Sequence, residues 1–299
     1  MNVQRSYADR PNGTGVLYLV GTPIGNLEDM TYRAVRILQE ADIIAAEDTR
    51  QTRKLLTHYG ITGRLVSYHE HNKLHSGPEL VRLIGEGQTI ALVSDAGLPA
   101  VSDPGEDLVR LAIAAEIPVI PVPGANAALS ALICSGLGTA GFRFAGFLPR
   151  DKKGLKEALS LLSREPATLL FYESPHRIKK TLEAMLSCWG NRRVVLSREL
   201  TKRYEEFGRG TLEEALAHLE EHPPLGEYCL VVEGAPDISS DLIYEEGHAV
   251  SGHWWQGKSL QEHVAHYEAQ GCDRKEAMKK TAQDRSVSKR DVYNGLLVE

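Results

Sequence analysis

The chain has 299 residues, 42% of them apolar and 25% charged, proportions of a folded globular protein that exclude a disordered, collagen-like or coiled-coil chain. At roughly 100 to 200 residues per domain, this length predicts two domains. A net charge of −6 argues against a protein that binds nucleic acid with its whole surface.

The first dozen residues carry Arg5, Asp9 and Arg10 with no apolar run behind them, so no secretory signal is expected. From residue 16 to 122, short β-rich runs alternate with helical spacing, the pattern of βαβ units around a largely parallel sheet. Strands are predicted at 16–20, 42–46, 65–68, 89–93 and 118–122. Helices are predicted at 31–38 and at 78–84, the latter with Pro78 in its first turn. The Pro-Val-Pro-Gly at 121–124 ends the last strand and restarts an Ala-rich helix, so a domain boundary is placed there. The pattern resumes with strands at 142–147, 167–172, 193–196 and 228–232 and helices at 154–162 and 175–186. Beyond Val232 a linker containing Ser239 and Ser240 leads to a tail with helical spacing at 259–267 and 274–281. The fold class is therefore α/β, with domains at 13–122 and 123–235 and a linker with a small, basic helical tail at 236–299. The longest uncharged stretch, 117–142, is broken by Pro118, Pro121, Pro123 and Gly124, so no membrane span is expected and the cytoplasm is the default location. Four cysteines, at 134, 188, 229 and 272, show no paired spacing and are read as reduced and structural.

Charge is unevenly placed. Between Arg143 and Arg203 there are 14 Lys/Arg against 6 Asp/Glu, and residues 274–290 hold seven cations, Lys279 and Lys280 among them, against Glu276 and Asp284. Such tracks are either solvated faces or a path for a polyanion.

Several strands end in residues suited to a ligand. The first runs into Gly21-Thr-Pro-Ile-Gly-Asn26, a glycine-bracketed loop at the carboxyl edge where open α/β sheets bind ligands. This loop lacks the Lys-Ser/Thr of a triphosphate site and is no GxGxxG fingerprint. The fourth runs into Ser94-Asp-Ala-Gly-Leu-Pro-Ala-Val-Ser-Asp-Pro-Gly105, whose Asp95 suits an ammonium group or a pair of ribose hydroxyls, whereas Asp103 reads as a cap on the next helix. Glu47-Asp-Thr-Arg50, Tyr68-His-Glu-His-Asn72, Tyr172-Glu-Ser-Pro-His-Arg177 and Ser197-Arg-Glu-Leu-Thr-Lys202 place further charged groups at strand ends. The spacing of His69 and His71 is not that of a zinc helix, so no metal is expected. No serine or cysteine triad can be picked out, which disfavours hydrolysis.

GTPIGN, AEDTR, SYHEHN, SDAGLPAVSDPG, VPGANAALSAL, FAGFLPR, FYESPHRI, SRELTK and GEYCLVVEG, in that order, resemble the tetrapyrrole methylase superfamily over residues 13–234, and the likeness returns at 286–296. Within it the motifs look like those of the branch that moves methyl from S-adenosyl-L-methionine to a cytidine ribose 2′-hydroxyl in the decoding region of small-subunit ribosomal RNA. The resemblance implies two α/β domains with the cofactor held in the cleft between them, and a homodimer. It places Thr22, Pro23, Ile24, Gly25, Asp95, Ala96, Gly97, Leu98, Pro99, Ser102, Pro123, Asn126, Ala127 and Tyr172 around that cofactor. Leu98 stands where the family usually has Thr, and Gly124-Ala-Asn126 where it has Gly-Pro-Ser.

Methyl transfer from a sulfonium to a hydroxyl needs in-line alignment and a group to take the proton. Glu47, Asp48, Glu173, Glu199 and Lys202 are the available bases, with Glu173, Lys202 and Glu47 put forward as catalytic. Arg50 and Arg177 would grip phosphate, joined by Lys152, Lys153, Lys279 and Lys280 as RNA contacts. Two other readings compete: a methyltransferase acting on a small tetrapyrrole, which needs no extended basic track, and a non-catalytic ribosome-binding module.

Overall fold

The structure, a computed structural model, describes residues 3–6, 13–236, 255, 258–285 and 287–298. The first sheet is built by β1 (Leu17–Val20), β2 (Ile43–Ala46), β3 (Arg64–Ser67), β4 (Ile90–Val93) and β5 (Val119–Val122), connected by α1 (Tyr32–Glu40), α2 (Thr49–His58), α3 (Lys73–Gly85) and α4 (Gly105–Ala114). All neighbours pair in parallel, in the order β3-β2-β4-β1-β5. β2 and β4 are buried at every residue, as central parallel strands are when helices cover both faces. One face packs Val20, Ile44 and Ala91 against Ile37, Leu38 and Leu56 of α1 and α2. The opposite face packs Leu17, Ile43 and Ile90 against Leu80, Ile84 and Leu108 of α3 and α4.

After α5 (Ala127–Ser135) come β6 (Phe142–Phe147), α6 (Lys152–Leu162), β7 (Thr168–Glu173), α7 (Ile178–Trp189), β8 (Arg193–Arg198), β9 (Glu206–Thr211), α8 (Leu212–Glu221) and β10 (Tyr228–Val232). Their sheet runs β6-β7-β10-β8-β9 and is mixed: β6 is parallel to β7, and the other pairs are antiparallel. Leu155, Leu159, Leu182 and Leu219 of α6, α7 and α8 cover the face that carries Phe171, Leu196 and Leu230. Ala128, Ala131 and Leu132 of α5 cover the other, against Leu170, Val195 and Val231, and Ile24 from the loop after β1 packs into the same cluster. Both sheets belong to one compact unit, residues 1–235.

A second unit comprises residues 236–299. In it α9 (Leu260–Ala269), α10 (Arg274–Asp284) and α11 (Lys289–Val298) enclose a small core of Val264, Ala277, Ala282 and Val292. Buried His263 places Nε2 3.0 Å from Asp284 Oδ2 and accepts a hydrogen bond at Nδ1 from Arg285 Nε at 3.0 Å. Ser239, Ser240 and Ser286 lie outside the described residues.

Several elements depart from the sequence reading. The helix expected at 78–84 begins at Lys73, so Pro78 lies inside it and not in its first turn. The carbonyl that Pro78 cannot serve belongs to Leu74, which is 88% exposed, so solvent can satisfy it. The helix expected at 154–162 begins two residues earlier, at Lys152 behind the Asp151 cap, so Lys152 and Lys153 open α6. β9, α2, α4 and α8 add to the predicted elements. β9 carries two glycines in six residues, weak strand material, and pairs along its whole length with β8.

Candidate functional site

The loops after β1, β4 and β5 meet at the carboxyl edge of the first sheet, on both sides of the point where the chain reverses its winding direction. Thr22 and Gly97 pair as an isolated bridge, each N–H donating to the other's carbonyl at 2.9 and 3.1 Å. Gly21 and Gly124 pack backbone on backbone: a Cβ at Gly21 would lie 2.8 Å from the Gly124 Cα, so only glycine allows this crossing. Asp95 ties in a further loop by accepting a hydrogen bond from the Asp48 N–H at 2.9 Å.

Between these loops and the second sheet lies a cavity of about 550 Å³. Ile24, Asp95, Ala96, Gly97, Leu98, Ser102, Asn126, Ala127 and Tyr172 line it, as do Glu47, Glu173 and Lys202. Thr22, Pro23, Pro99 and Pro123 are not among its lining residues. Thr22 is buried, its hydroxyl 3.3 Å from the Ser94 and Gly97 carbonyls, so it braces the loop. Gly25 belongs to an adjoining groove. Asn126 spends its side-chain oxygen on capping α5, accepting from Leu129 N at 2.9 Å. The Tyr172 hydroxyl accepts from the Ala128 N–H at 3.3 Å, and its ring meets Phe144 and Phe147 at 5.1 and 5.6 Å.

Sequence reasoning missed a large part of the wall: Phe147, Leu200, Glu227, Tyr228 and Cys229 also line the cavity. A signal for Cys229 existed in the strand alternation, since it shares a face with Val231, toward α5. Burial pushes its thiol up to about 12, so it is no nucleophile at neutral pH. Four non-glycine residues of the cavity loops, Ala100, Ser102, Glu199 and Thr201, adopt left-handed backbone with φ between 50° and 67°. Strain of this kind gathers where a loop is held in one functional shape.

The three proposed catalytic groups differ in their surroundings. Burial raises the Glu47 carboxyl above its ordinary range, and the neighbouring charges of Asp95, Asp103 and Asp48 add to the effect. Glu173 is only 3% exposed and both its oxygens are engaged: Thr181 Oγ1 donates to Oε2 at 2.7 Å and Ser174 N to Oε1 at 2.9 Å, with Arg177 Nη2 at 3.6 Å. Lys202 Nζ bonds Glu199 Oε1 at 2.9 Å and Glu227 Oε2 at 2.8 Å. Burial alone would lower its pKa, but these two carboxylates outweigh it and hold the ammonium above the usual lysine value, so Lys202 carries no lone pair with which to take a proton.

The expected phosphate contacts separate as well. The Arg177 guanidinium donates to the Leu148 and Pro149 carbonyls at 3.0 Å and faces Glu173, so it fastens the loop after β6 and is not available to phosphate. Exposed Arg50 forks onto Asp48; its side-chain hydrogen bond is the main reason the Asp48 carboxyl falls to about 2. Lys152 and Lys153 are exposed on α6, Lys153 3.9 Å from Glu157. Lys279 and Lys280 lie on α10, Lys280 Nζ being 3.1 Å from Cys272 Sγ. No group of three or more His, Cys, Asp or Glu side chains among the described residues is arranged to hold a metal.

A family model described as Tetrapyrrole (Corrin/Porphyrin) Methylases matches residues 16–216. "Ribosomal RNA small subunit methyltransferase I" of Halalkalibacterium halodurans is 56% identical over 295 residues, 98% of each chain. The protein of the same name in Bacillus subtilis is 51% identical over 280 residues, 94% of this chain and 93% of that one. A solved cobalamin biosynthetic enzyme, cobalt precorrin-4 methyltransferase, superposes with a TM-score of 0.57 at 16% identity, over 76% of this chain and 98% of its own, and so shares the fold. Two helix-covered α/β sheets, a glycine-crossed cavity at their meeting edge and these matches agree: the chain belongs to the tetrapyrrole (corrin/porphyrin) methylase family.

Proposed function

We propose that this protein is an S-adenosyl-L-methionine-dependent methyltransferase that methylates a cytidine ribose 2′-hydroxyl in the decoding region of small-subunit ribosomal RNA. The observation that carries the reading is the charge of the cavity, where Glu47, Asp95, Asp103, Glu199 and Glu227 surround a wall of Ile24, Leu98, Leu200, Phe147 and Tyr172. The one cation among the lining residues, Lys202, is held by Glu199 and Glu227. Such a lining suits a cationic ligand with a flat apolar part and repels a triphosphate. The relatives' printed name supplies the RNA substrate, and the motif resemblance supplies the ribose 2′-hydroxyl. The halves 13–122 and 123–235 then act as the two walls of one cofactor cleft.

S-adenosyl-L-methionine supplies an electrophilic methyl on a cationic sulfur. In this chain Asp95, Ala96, Gly97, Leu98, Ser102, Asn126, Ala127 and Tyr172 would hold it, with Ile24 packed beneath. Thr22, Gly21 and Gly124 shape that cradle without lining it. Glu47 is the base that fits: its carboxyl is raised toward neutrality by burial and by three like charges, which strengthens it as a proton acceptor. Orientation contributes more than proton transfer, up to roughly 7–11 kcal/mol in well-aligned cases. Glu173 and Lys202 serve as positioning residues, Glu173 by locking α7 and Lys202 by bridging two loops. The protein works in the cytoplasm, where small ribosomal subunits are its partner, and as a homodimer. Leu129 and Ile133 of α5, 44% and 75% exposed, support the dimer as apolar surface still to be covered.

The test is incubation of purified protein with methyl-labelled S-adenosyl-L-methionine and either small ribosomal subunits or a porphyrin precursor. Label in a 2′-O-methylcytidine of the RNA supports the reading; label in the porphyrin, or in neither, overturns it.

A further inference from the structure

Lys202, which lines the cavity, also lines a groove of about 750 Å³ between the turn at 25–28 and the turn at 201–203. A Cβ at Gly25 would stand 2.4 Å from Lys202 Cγ and 2.9 Å from Thr201 Oγ1, so the two walls touch at a residue without a side chain. His58 lines the groove as well and also borders a dish of about 500 Å³ formed by Arg50, Arg53, Lys54 and Thr57 along α2. α2 leads back to the cavity through its cap, Asp48, beside Glu47. The Tyr59 hydroxyl donates to the Leu27 carbonyl and fixes the end of α2 against the groove wall.

The cations here are set apart by lining a concave path. Of the 14 cations in residues 143–203, Arg143, Lys153, Arg177, Arg193, Arg198 and Lys202 each face a carboxylate, and the other eight, Arg203 among them, have no ion pair among the described residues. Along the groove, Arg53 and Arg203 have no ion pair among the described residues, and Lys54 meets only the Gln51 amide, at 3.2 Å. Arg203 lies 5.6 Å above the Tyr204 ring, which is 65% exposed. Among the described residues that line the groove, Glu28 is the one carboxylate. Free cations spaced along a concave path, with an exposed aromatic ring, are what single-stranded nucleic acid requires.

We propose that single-stranded RNA flanking the target nucleotide runs from the cavity through this groove and along α2, its phosphates on Arg203, Arg53 and Lys54 and a base against Tyr204. This rests on the function proposed above and adds where the strand lies. The track is short: α2 has ten residues, about 15 Å of axis, room for a few nucleotides.

The test compares the parent protein, Arg53→Gln/Lys54→Gln/Arg203→Gln, and an outer triple from the basic stretch, Lys156→Gln/Arg164→Gln/Lys180→Gln. Binding of a short labelled single-stranded RNA is followed as salt rises, with methylation of small ribosomal subunits measured in parallel. Each phosphate contact adds about 0.7 to the log–log salt slope, so the groove triple should flatten the slope by about 2 and weaken binding roughly tenfold or more. KM for subunits should rise with kcat and the S-adenosyl-L-methionine melting shift unchanged, and the outer triple should track the parent. If the triple melts early, Arg53→Gln/Arg203→Gln is read in its place, with a slope change of about 1.4. A parent that labels subunits while the groove variants match it, or an outer triple that flattens the slope instead, overturns the track and leaves the function standing. A parent that labels no RNA overturns both.

Discussion

Glu173→Ala gives a sharp separation between chemistry and architecture. The carboxylate lies on β7 with its side chain 1% exposed and receives Thr181 Oγ1 at 2.7 Å and Ser174 N at 2.9 Å, with the Arg177 guanidinium 3.6 Å away. Each hydrogen bond to a charged acceptor is worth about 1.5–3 kcal/mol, and removing one member of a buried ion pair costs about 3–5 kcal/mol because its partner is left uncompensated. These losses overlap, so about 3–5 kcal/mol is expected in total. For a unit of 235 residues, each kcal/mol moves Tm by about 2–4 °C, which predicts a fall of about 6–20 °C. Calorimetry with and without S-adenosyl-L-methionine measures it, alongside methylation at a temperature where the variant is folded. Glu173→Gln, which keeps the shape and one acceptor oxygen, should lose less stability and retain most turnover. A Glu173→Ala protein that melts within about 2 °C of the parent but transfers no methyl would refute the structural role and return Glu173 to the list of bases.

Glu47→Gln should reduce kcat by about 10²–10⁴ if Glu47 is the base and abolish the acid limb of the pH–rate profile, a limb the parent should show above the ordinary glutamate value of 4.5 because the carboxyl is raised. The stability sign is opposite: the folded state binds this proton more tightly than the unfolded one, so ionising Glu47 costs stability as pH rises through the raised value. The Gln variant should therefore gain Tm near pH 7 and gain nothing below pH about 4; melting curves at both pH values decide. Asp95→Ala should lose most of the S-adenosyl-L-methionine melting shift, read by thermal titration, and a full shift in the variant would reduce Asp95 to its bond with Asp48. A chain ending at Ala235 should keep its melting transition and the cofactor shift but methylate ribosomal subunits poorly if the helical tail docks on RNA; joint loss of both would make the tail a structural cap.

The strands of both sheets could be read from sequence because their aliphatic runs are bounded by glycine, proline or charge, as at Leu17–Val20 before Gly21 and Tyr228–Val232 before Glu233. β9 could not, since Gly208 and Gly210 mask a strand that exists only through its ladder with β8. The loops of the cavity were legible for the same reason as the strands: glycine and aspartate at strand ends leave few alternatives. Side-chain direction was harder. Tyr172 and Glu173 are adjacent at one strand end and both border the cavity, yet the two-residue period sends the Tyr172 ring toward α5 and the Glu173 carboxylate onto Thr181 of α7. A strand-end position names a candidate; the pleat decides whether it faces ligand or core. Partner choice was invisible too, for nothing near Lys202 in sequence shows that Glu227 reaches it.

The distribution of charge shows why net charge says little about substrate here. In the 143–203 stretch the excess of cations is offset by three carboxylates from outside it, Glu206 on Arg198, Glu227 on Lys202 and Glu233 on Arg193, so that local excess is only partly neutralised. The cavity is negative: burial raises the Glu47 carboxyl, and Asp95, Asp103 and Asp48 stand close enough to add to the shift, while Arg53 and Arg203, without an ion pair among the described residues, line the neighbouring dish and groove. On the proposed function this sorting has a mechanical consequence. Phosphates are attracted to the rim and repelled from the interior, so an RNA strand can lower its energy only by laying its backbone outside and presenting a neutral sugar inward. A carboxylate-lined cavity also favours a sulfonium over the neutral thioether that remains after transfer, which assists release of the spent cofactor. The field that binds the methyl donor thus also selects which part of the RNA can meet it.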